Sequence, residues 1–228
     1  MNGHSLLPLE QRFIDLEARL HSMDDQGVDM HALSLTMPMV YWASPDLSRQ
    51  LSEAFNDACV AAHEQYPDRF VGLAMLPMQE PGLALAELER VADHPAIRGV
   101  YMATRIRERE LSDPAFFDVY ERIEDLGLTI FLPPVTVVDP DRLTRFYLTN
   151  FIGNPTESAI AASHLIFGEV LDRFPQLSIC LPHAGGSFPF LIGRISHGWS
   201  VRQECQHLER SPQEYLRRFH YDTITHSR

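Results

Sequence analysis

RFVGLAMLPMQEPGLALAELERVADHPAIRGVYMA, residues 69–103, decides the fold. Residues 69–76 and 97–103 are short, nearly continuous apolar runs, and residues 83–93 between them read as a helix. Apolar strands of this kind are buried on both faces, and a strand–helix–strand unit built from them is the signature of a parallel sheet. The alternation continues in both directions. Upstream, residues 9–26 read as a helix with Phe13, Leu16, Leu20 and Met23 at helical spacing and Gly27 as a stop. Residues 28–35 follow as a strand, and 46–66 as a helix with Leu51, Phe55, Ala58 and Ala62 on one face. Downstream, the sequence predicts a helix at 114–126 with a proline in its first turn, and a strand at 128–133. Residues 142–174 read as mostly helical with a break near 153–155. A strand at 177–182, helices at 188–205 and 212–218, and a strand at 219–225 complete the series.

No GxGxxG follows a strand, so the dinucleotide-binding doubly wound sheet is not indicated. Polar residues instead gather where strands end: Ser34, Thr36, Thr104, His183, Thr223 and Thr225. A (β/α)8 barrel builds its site at those ends, and it typically takes about 250 residues and about eight strands. This chain has 228 residues and supplies six such alternations, which predicts one domain over 1–228, a TIM-type (β/α)8 barrel left incomplete.

Composition narrows the chemistry. All 19 basic residues are arginine, against 31 acids, for a net charge of −12. Without lysine the chain cannot supply a Schiff-base amine, a P-loop lysine or a carbamylated-lysine metal bridge. The acidic balance argues against nucleic acid or an anionic membrane as partner. Cys59, Cys180 and Cys205 are odd in number and form no CxxC, which fits structural thiols in a reducing compartment. No apolar run approaches the ~18 residues of a transmembrane helix. With no secretory pattern at the start, the expected location is cytoplasmic.

The densest local signal is LPHAGGSFPFLIGRISHGW, residues 181–199. His183 ends a strand beside Gly185 and Gly186, a good position for a general acid or base; the alternative is a buried histidine bonded to a carbonyl. Arg194 is a fixed cation suited to a carboxylate through a forked pair of hydrogen bonds; the alternative is a salt bridge at the surface or an interface. His31 and His164 read as satisfied core residues. His4, His21, His63, His94 and His207 read as solvated, His197 as a support for Arg194, and His226 as the one later histidine able to reach a barrel mouth. HxH, HExxH and GxSxG are absent.

Residues 23–36 (MDDQGVDMHALSLT), 66–81 (YPDRFVGLAMLPMQEP) and above all 152–198, from IGNPTESAIAASH to GGSFPFLIGRISHG, resemble the amidohydrolase-related decarboxylases. These are the relatives of aminocarboxymuconate-semialdehyde, resorcylate and carboxyvanillate decarboxylases. The resemblance runs from about Phe13 to His226. It implies a zinc-dependent (β/α)8 barrel, usually dimeric, that removes CO2 from unsaturated or aromatic carboxylic acids; some relatives hydrolyse or hydrate instead. By the same resemblance, His183 matches an acid/base histidine beside a metal-bound water. Arg194 matches an arginine that grips a substrate carboxylate in the neighbouring subunit's site. The family's first strand carries an HxH pair and its last an aspartate ligand, and neither is found in this sequence. The histidine ligand of strand five is matched by Pro133, which has no side-chain donor atom.

Two strands that neighbour each other in a closed barrel are therefore expected to be missing, leaving an open seam covered by helices, a second chain or a rearranged N-terminal segment. Three activities follow as expectations: a decarboxylase; a noncatalytic remnant or binding protein that keeps a carboxylate pocket, as Pro133 suggests; and a metal-dependent hydrolase of an amide, ester or lactone. Each takes a small carboxylate or related molecule as partner, with a homodimer expected and zinc doubtful in this chain.

Overall fold

The computed structural model describes residues 10–226. Helix α1 (Leu16–Gln26) leads into strand β1 (His31–Leu33), then α2 (Pro45–Gln65) into β2 (Phe70–Met75) and α3 (Pro81–Val91) into β3 (Ile97–Tyr101). A small hairpin, β4 (Arg105–Ile106) and β5 (Arg109–Glu110), precedes α4 (Phe117–Asp125) and β6 (Thr129–Phe131). Then come α5 (Asn154–Phe167), α6 (Val170–Arg173), β7 (Ser178–Leu181), α7 (Phe188–Val201) and β8 (Phe219–Tyr221). Six strands form one parallel sheet in the order β1-β2-β3-β6-β7-β8. β1 and β8 are its edges, and no strand joins them among the described residues. The incomplete barrel that the sequence predicts is the fold observed.

Local chemistry explains the boundaries. Asp15 caps α1 by accepting from the amides of Glu17 and Ala18 at 2.9 and 3.2 Å. That cap places the start of α1 at Leu16, and the predicted helical residues before it form only a 3₁₀ turn at Gln11–Phe13. Residue 9, where the predicted helix begins, lies outside the described residues. Gly27 closes α1 at φ +66°, and the Val28 amide still donates to Met23. Residue 28 thus belongs to the helix end, and β1 is shorter than the predicted 28–35. Close packing fixes two glycines. A Cβ on Gly72 would lie 2.7 Å from that of Cys59 on α2, and one on Gly99 would lie 2.6 Å from the Thr129 carbonyl oxygen on β6.

The long helix predicted over 142–174 is several pieces. Phe146 and Tyr147 adopt φ of +58° and +59°, a π-helical stretch occupies Thr149–Gly153, and Glu169 at +57° ends the run after α5. The predicted break near 153–155 is where α5 begins, with Pro155 in the first turn, the position a helix tolerates. The predicted helix at 188–205 stops at Val201 and is followed by a 3₁₀ turn at Gln203–Cys205. Residues 212–218 form a 3₁₀ segment opened by a Ser211–Glu214 capping box. One large apolar cluster, from Met39 to Phe219 in sequence, packs the sheet against α3, α4, α5 and α7. A smaller one (Met23, Ala62, Phe70) seats α1.

Candidate functional site

In a parallel sheet all six strand ends open on one side, and the polar residues predicted there do follow their strands. His183 begins the turn after β7. It and the three residues after it all have positive φ: His183 +56°, Ala184 +52°, Gly185 +85°, Gly186 +59°. Neighbours dictate the two glycines. A Cβ on Gly186 would meet the Pro155 carbonyl oxygen at 2.4 Å, and one on Gly185 would meet the Tyr221 ring at 2.7 Å. Holding a histidine and an alanine in the left-handed region costs on the order of 1–3 kcal/mol each, a strain that clusters at functional sites. The turn is pinned by Asp222, just past β8, whose Oδ1 accepts from the Ala184 amide at 2.8 Å and from the Ile224 amide at 3.1 Å. Burial first, and the Asp222 charge second, push the Cys180 thiol on β7 up from its ordinary value.

His183 is half-buried, and its Nδ1 is buried with no hydrogen-bond partner. Thr104 Oγ1 after β3 and Gln79 Oε1 after β2 are buried and unpartnered in the same way. Buried polar atoms are nearly always satisfied, so these orphans on the strand-end side are donors and acceptors that a ligand or an ordered water would complete. Burial raises the pKa of Tyr101, and Ser34 beside its hydroxyl opposes the rise more weakly. Sequence reasoning singled out His183, Thr104 and Ser34 but missed Asp222 and Gln79. Asp222 falls inside the predicted strand 219–225, so nothing in the sequence set it apart; β8 ends at Tyr221 and leaves it just past the strand.

The end of β6 is occupied by Pro133. Its carbonyl accepts from the Thr104 amide at 3.2 Å, so the backbone prolongs the β3–β6 pairing while the side chain offers no donor. Among the described residues no group of three or more His, Cys, Asp or Glu is gathered as a metal would require. A zinc site takes three or four protein ligands, and the residues present do not fit one.

Arg194 lies elsewhere. It is exposed on α7 and lines a largely apolar groove of about 510 Å³ with Ala159, Ile160, Leu191, Ile195 and Trp199. His183 is not part of that lining, so this groove does not bring the two predicted residues together. Arg194 has no ion pair or hydrogen-bond partner among the described residues. Phe190, in the first turn of α7, is 91% exposed.

His164 departs from the core role predicted for it. Its side chain is 40% exposed, with Nδ1 3.3 Å from Ser112 Oγ and Nε2 3.6 Å from Glu110 Oε2. The face of α5 that carries it opens on the β4–β5 hairpin rather than on the apolar interior. His63 and His207, read as solvated, each place a ring nitrogen near a backbone carbonyl, that of Phe70 at 2.8 Å and that of Phe167 at 2.7 Å. His31 keeps a buried, unpartnered Nδ1, and its pKa is lowered by burial, then by Arg19 and Arg69. His226 is exposed, and His4 lies outside the described residues.

The chain matches the family profile described as Amidohydrolase (Amidohydro_2) over residues 10–226. The chain belongs to the amidohydrolase family. It is 33% identical to 2-amino-3-carboxymuconate-6-semialdehyde decarboxylase from Dictyostelium discoideum over 230 residues, covering 99% of this chain and 64% of the relative. The crystal structure of 5-carboxyvanillate decarboxylase from Sphingomonas paucimobilis superposes with a TM-score of 0.82 at 31% identity, over 90% of this chain and 63% of that one. Dihydroxybenzoic acid decarboxylase from Polaromonas, solved with manganese and the inhibitor 2-nitroresorcinol, gives 0.79 at 25% identity, over 91% and 66%. The chain thus spans a little under two thirds of the first two of these relatives. These family members are carboxy-lyases of small carboxylic acids, and manganese is bound in the Polaromonas protein. No helix among the described residues is long and apolar enough to cross a membrane.

Proposed function

We propose that this amidohydrolase-family chain forms the strand-end face of a carboxy-lyase acting on a small unsaturated or aromatic carboxylic acid. The reaction is R–COO⁻ + H⁺ → R–H + CO2: the carbon–carboxylate bond breaks and its electron pair takes up a proton at the same carbon. His183 is the group we assign to hold that proton. The carrying observation is its half-buried ring with an unpartnered Nδ1, in a strained turn fixed by Asp222. Arg194 is assigned to the carboxylate of a substrate bound by a second copy, because its exposed guanidinium lacks a partner among the described residues. In this reading residues 1–228 are one barrel domain that pairs across the α5–α7 groove, in a reducing compartment that suits its scattered thiols.

One observation favours a second reading. Pro133 removes a donor from the strand-end face, and the described residues gather no metal shell. A protein with that face binds a carboxylate without metal chemistry. Two measurements on the purified chain separate the readings. Stoichiometric zinc or manganese by elemental analysis, with CO2 release that His183→Ala abolishes, supports the lyase. No metal, and no CO2 after zinc is added, supports the binding protein. Sedimentation tests the pairing, and a strict monomer removes the cross-subunit role of Arg194.

A further inference from the structure

A second cation stands at the strand ends, and it belongs to the chain's own face. The loop after β1 runs across the end of β2 toward the hairpin that follows β3. Met39, Val40, Tyr41 and Ala43 of this loop are buried, and Gln79 Nε2 donates to the Val40 carbonyl at 3.3 Å. Between these buried residues Trp42 turns outward, as Met37 does earlier in the loop. Its Nε1 donates to the Met39 carbonyl at 2.9 Å, and the residue remains 60% exposed. A large aromatic group fixed by its polar end, among buried neighbours, presents its ring in a set place.

Arg107, between β4 and β5 at φ +54°, donates Nε–H to the Tyr41 carbonyl at 2.6 Å and Nη2–H to the Ala43 carbonyl at 2.8 Å. It thus straddles the backbone of Trp42. Acids near it in sequence are engaged elsewhere: Glu108 and Glu110 pair with Arg105, and Asp113 with Arg109. Among the described residues Arg107 has no carboxylate partner, in a chain of net charge −12. A guanidinium has five N–H donors. With Nε and one Nη2 hydrogen spent on carbonyls, the hydrogens on Nη1 and the second on Nη2 are left for an end-on, two-point grip of a carboxylate.

We infer that Arg107 and Trp42 form a recognition site for an aromatic monocarboxylate, the guanidinium holding the carboxylate and the indole the ring. The choice of ligand class rests on the proposed function, but the test does not. Trp42 and Trp199 are the only tryptophans, so Trp199→Phe makes Trp42 the sole indole reporter. Titrating that protein with benzoate should quench its fluorescence saturably, with a dissociation constant at or below about 1 mM. Acetate, which has the charge alone, and benzyl alcohol, which has the ring alone, should bind at least about tenfold more weakly. Arg107→Leu should weaken benzoate by about tenfold or more, with Arg107→Lys between, because an ammonium lacks the planar fork.

Near-UV circular dichroism reports whether the loop keeps its place. If Arg107→Leu disturbs it, calorimetry on Trp42→Leu, which leaves both carbonyl bonds available, takes over with the same expected tenfold loss. Benzoate binding unchanged in these variants, or no saturable quench, overturns the inference. CO2 release is read separately. Binding that depends on both residues without turnover sinks the lyase and supports this site; turnover unaffected by either substitution overturns this site and keeps the lyase.

Discussion

Asn56→Ala tests what holds the end of β2 in place. The Gly72 amide donates to Ala96, before β3, so Met75, three residues on, turns its N–H and C=O the other way, toward β1. But β1 ends at Leu33, which pairs with Gly72, so no strand among the described residues reaches Met75 from that side. The fully buried side chain of Asn56 on α2 fills the vacancy. Its Oδ1 accepts from the Met75 amide at 2.8 Å and its Nδ2 donates to the Met75 carbonyl at 3.0 Å, as a neighbouring strand would. Nδ2 also donates to Glu87 Oε1 at 2.6 Å, and Glu87 is held in turn by two bonds from Arg90.

Truncation to alanine leaves two buried backbone groups without partners, at about 1–3 kcal/mol each, so a loss of roughly 3–4 kcal/mol follows. For a domain of this size that lowers Tm by about 10 °C. Asn56→Asp keeps the acceptor but loses the donor and sets a carboxylate against Glu87, so its loss should be larger at pH 8 than at pH 5. Urea and thermal unfolding followed by circular dichroism measure both. A loss below about 1 kcal/mol for the alanine variant would mean that the ladder-like role assigned to Asn56 is wrong.

Two further outcomes follow from buried groups. Glu157 on α5 is only 4% exposed, and burial, then the charge of Glu110, raises its pKa against weaker lowering by the Val138 backbone and Arg105. A carboxyl raised in the folded state stabilises fully below its unfolded pKa and loses that contribution as pH rises through the folded value; Glu157→Gln should therefore raise Tm at pH 8 and change it little at pH 4, and a gain confined to acid pH refutes this. Burial pushes the Cys59 thiol up to about 12 and raises that of Cys180, so both should resist a thiol reagent at pH 8 until urea unfolds the chain; rapid labelling of either in the native protein contradicts the packing described.

The parallel sheet was legible because its strands are written as apolar runs, and a buried parallel strand has no other way to be written. The hairpin Arg105–Glu110 was not, since RIRERE has neither an apolar face nor a turn glycine. It is held by ion pairs of Arg105 and by the Arg107 bonds to residues 41 and 43, all contacts that sequence spacing does not encode. His183 was legible from its place between a strand and two glycines. Asp222 was not, because its role depends on β7 and β8 lying side by side. His164 was misread for a related reason. A largely apolar helix such as α5 predicts a buried histidine, and only the hairpin packed against that helix gives it Ser112 and Glu110.

Pro133 bears on which half of the chemistry this face retains. A proline there leaves the strand pairing intact, as the Thr104 bond to its carbonyl demonstrates, and offers no side-chain donor. Binding a carboxylate needs cations and an apolar wall, which Arg107 and Trp42 provide in the same chain. Expelling CO2 also needs stabilisation of the electron pair left on carbon, commonly several kcal/mol of electrostatic help in the transition state. A position without a side-chain donor adds nothing to that second requirement and leaves the first untouched. The consequence is directional: if this chain has departed from its relatives, affinity for aromatic carboxylates outlasts turnover. Pro133→His then becomes the informative reversal. It should leave benzoate affinity unchanged within about twofold, since it touches neither recognition residue, while any gain appears in metal retention measured by equilibrium dialysis. A variant that gains benzoate affinity without retaining metal would place Pro133 in the recognition surface and refute the division.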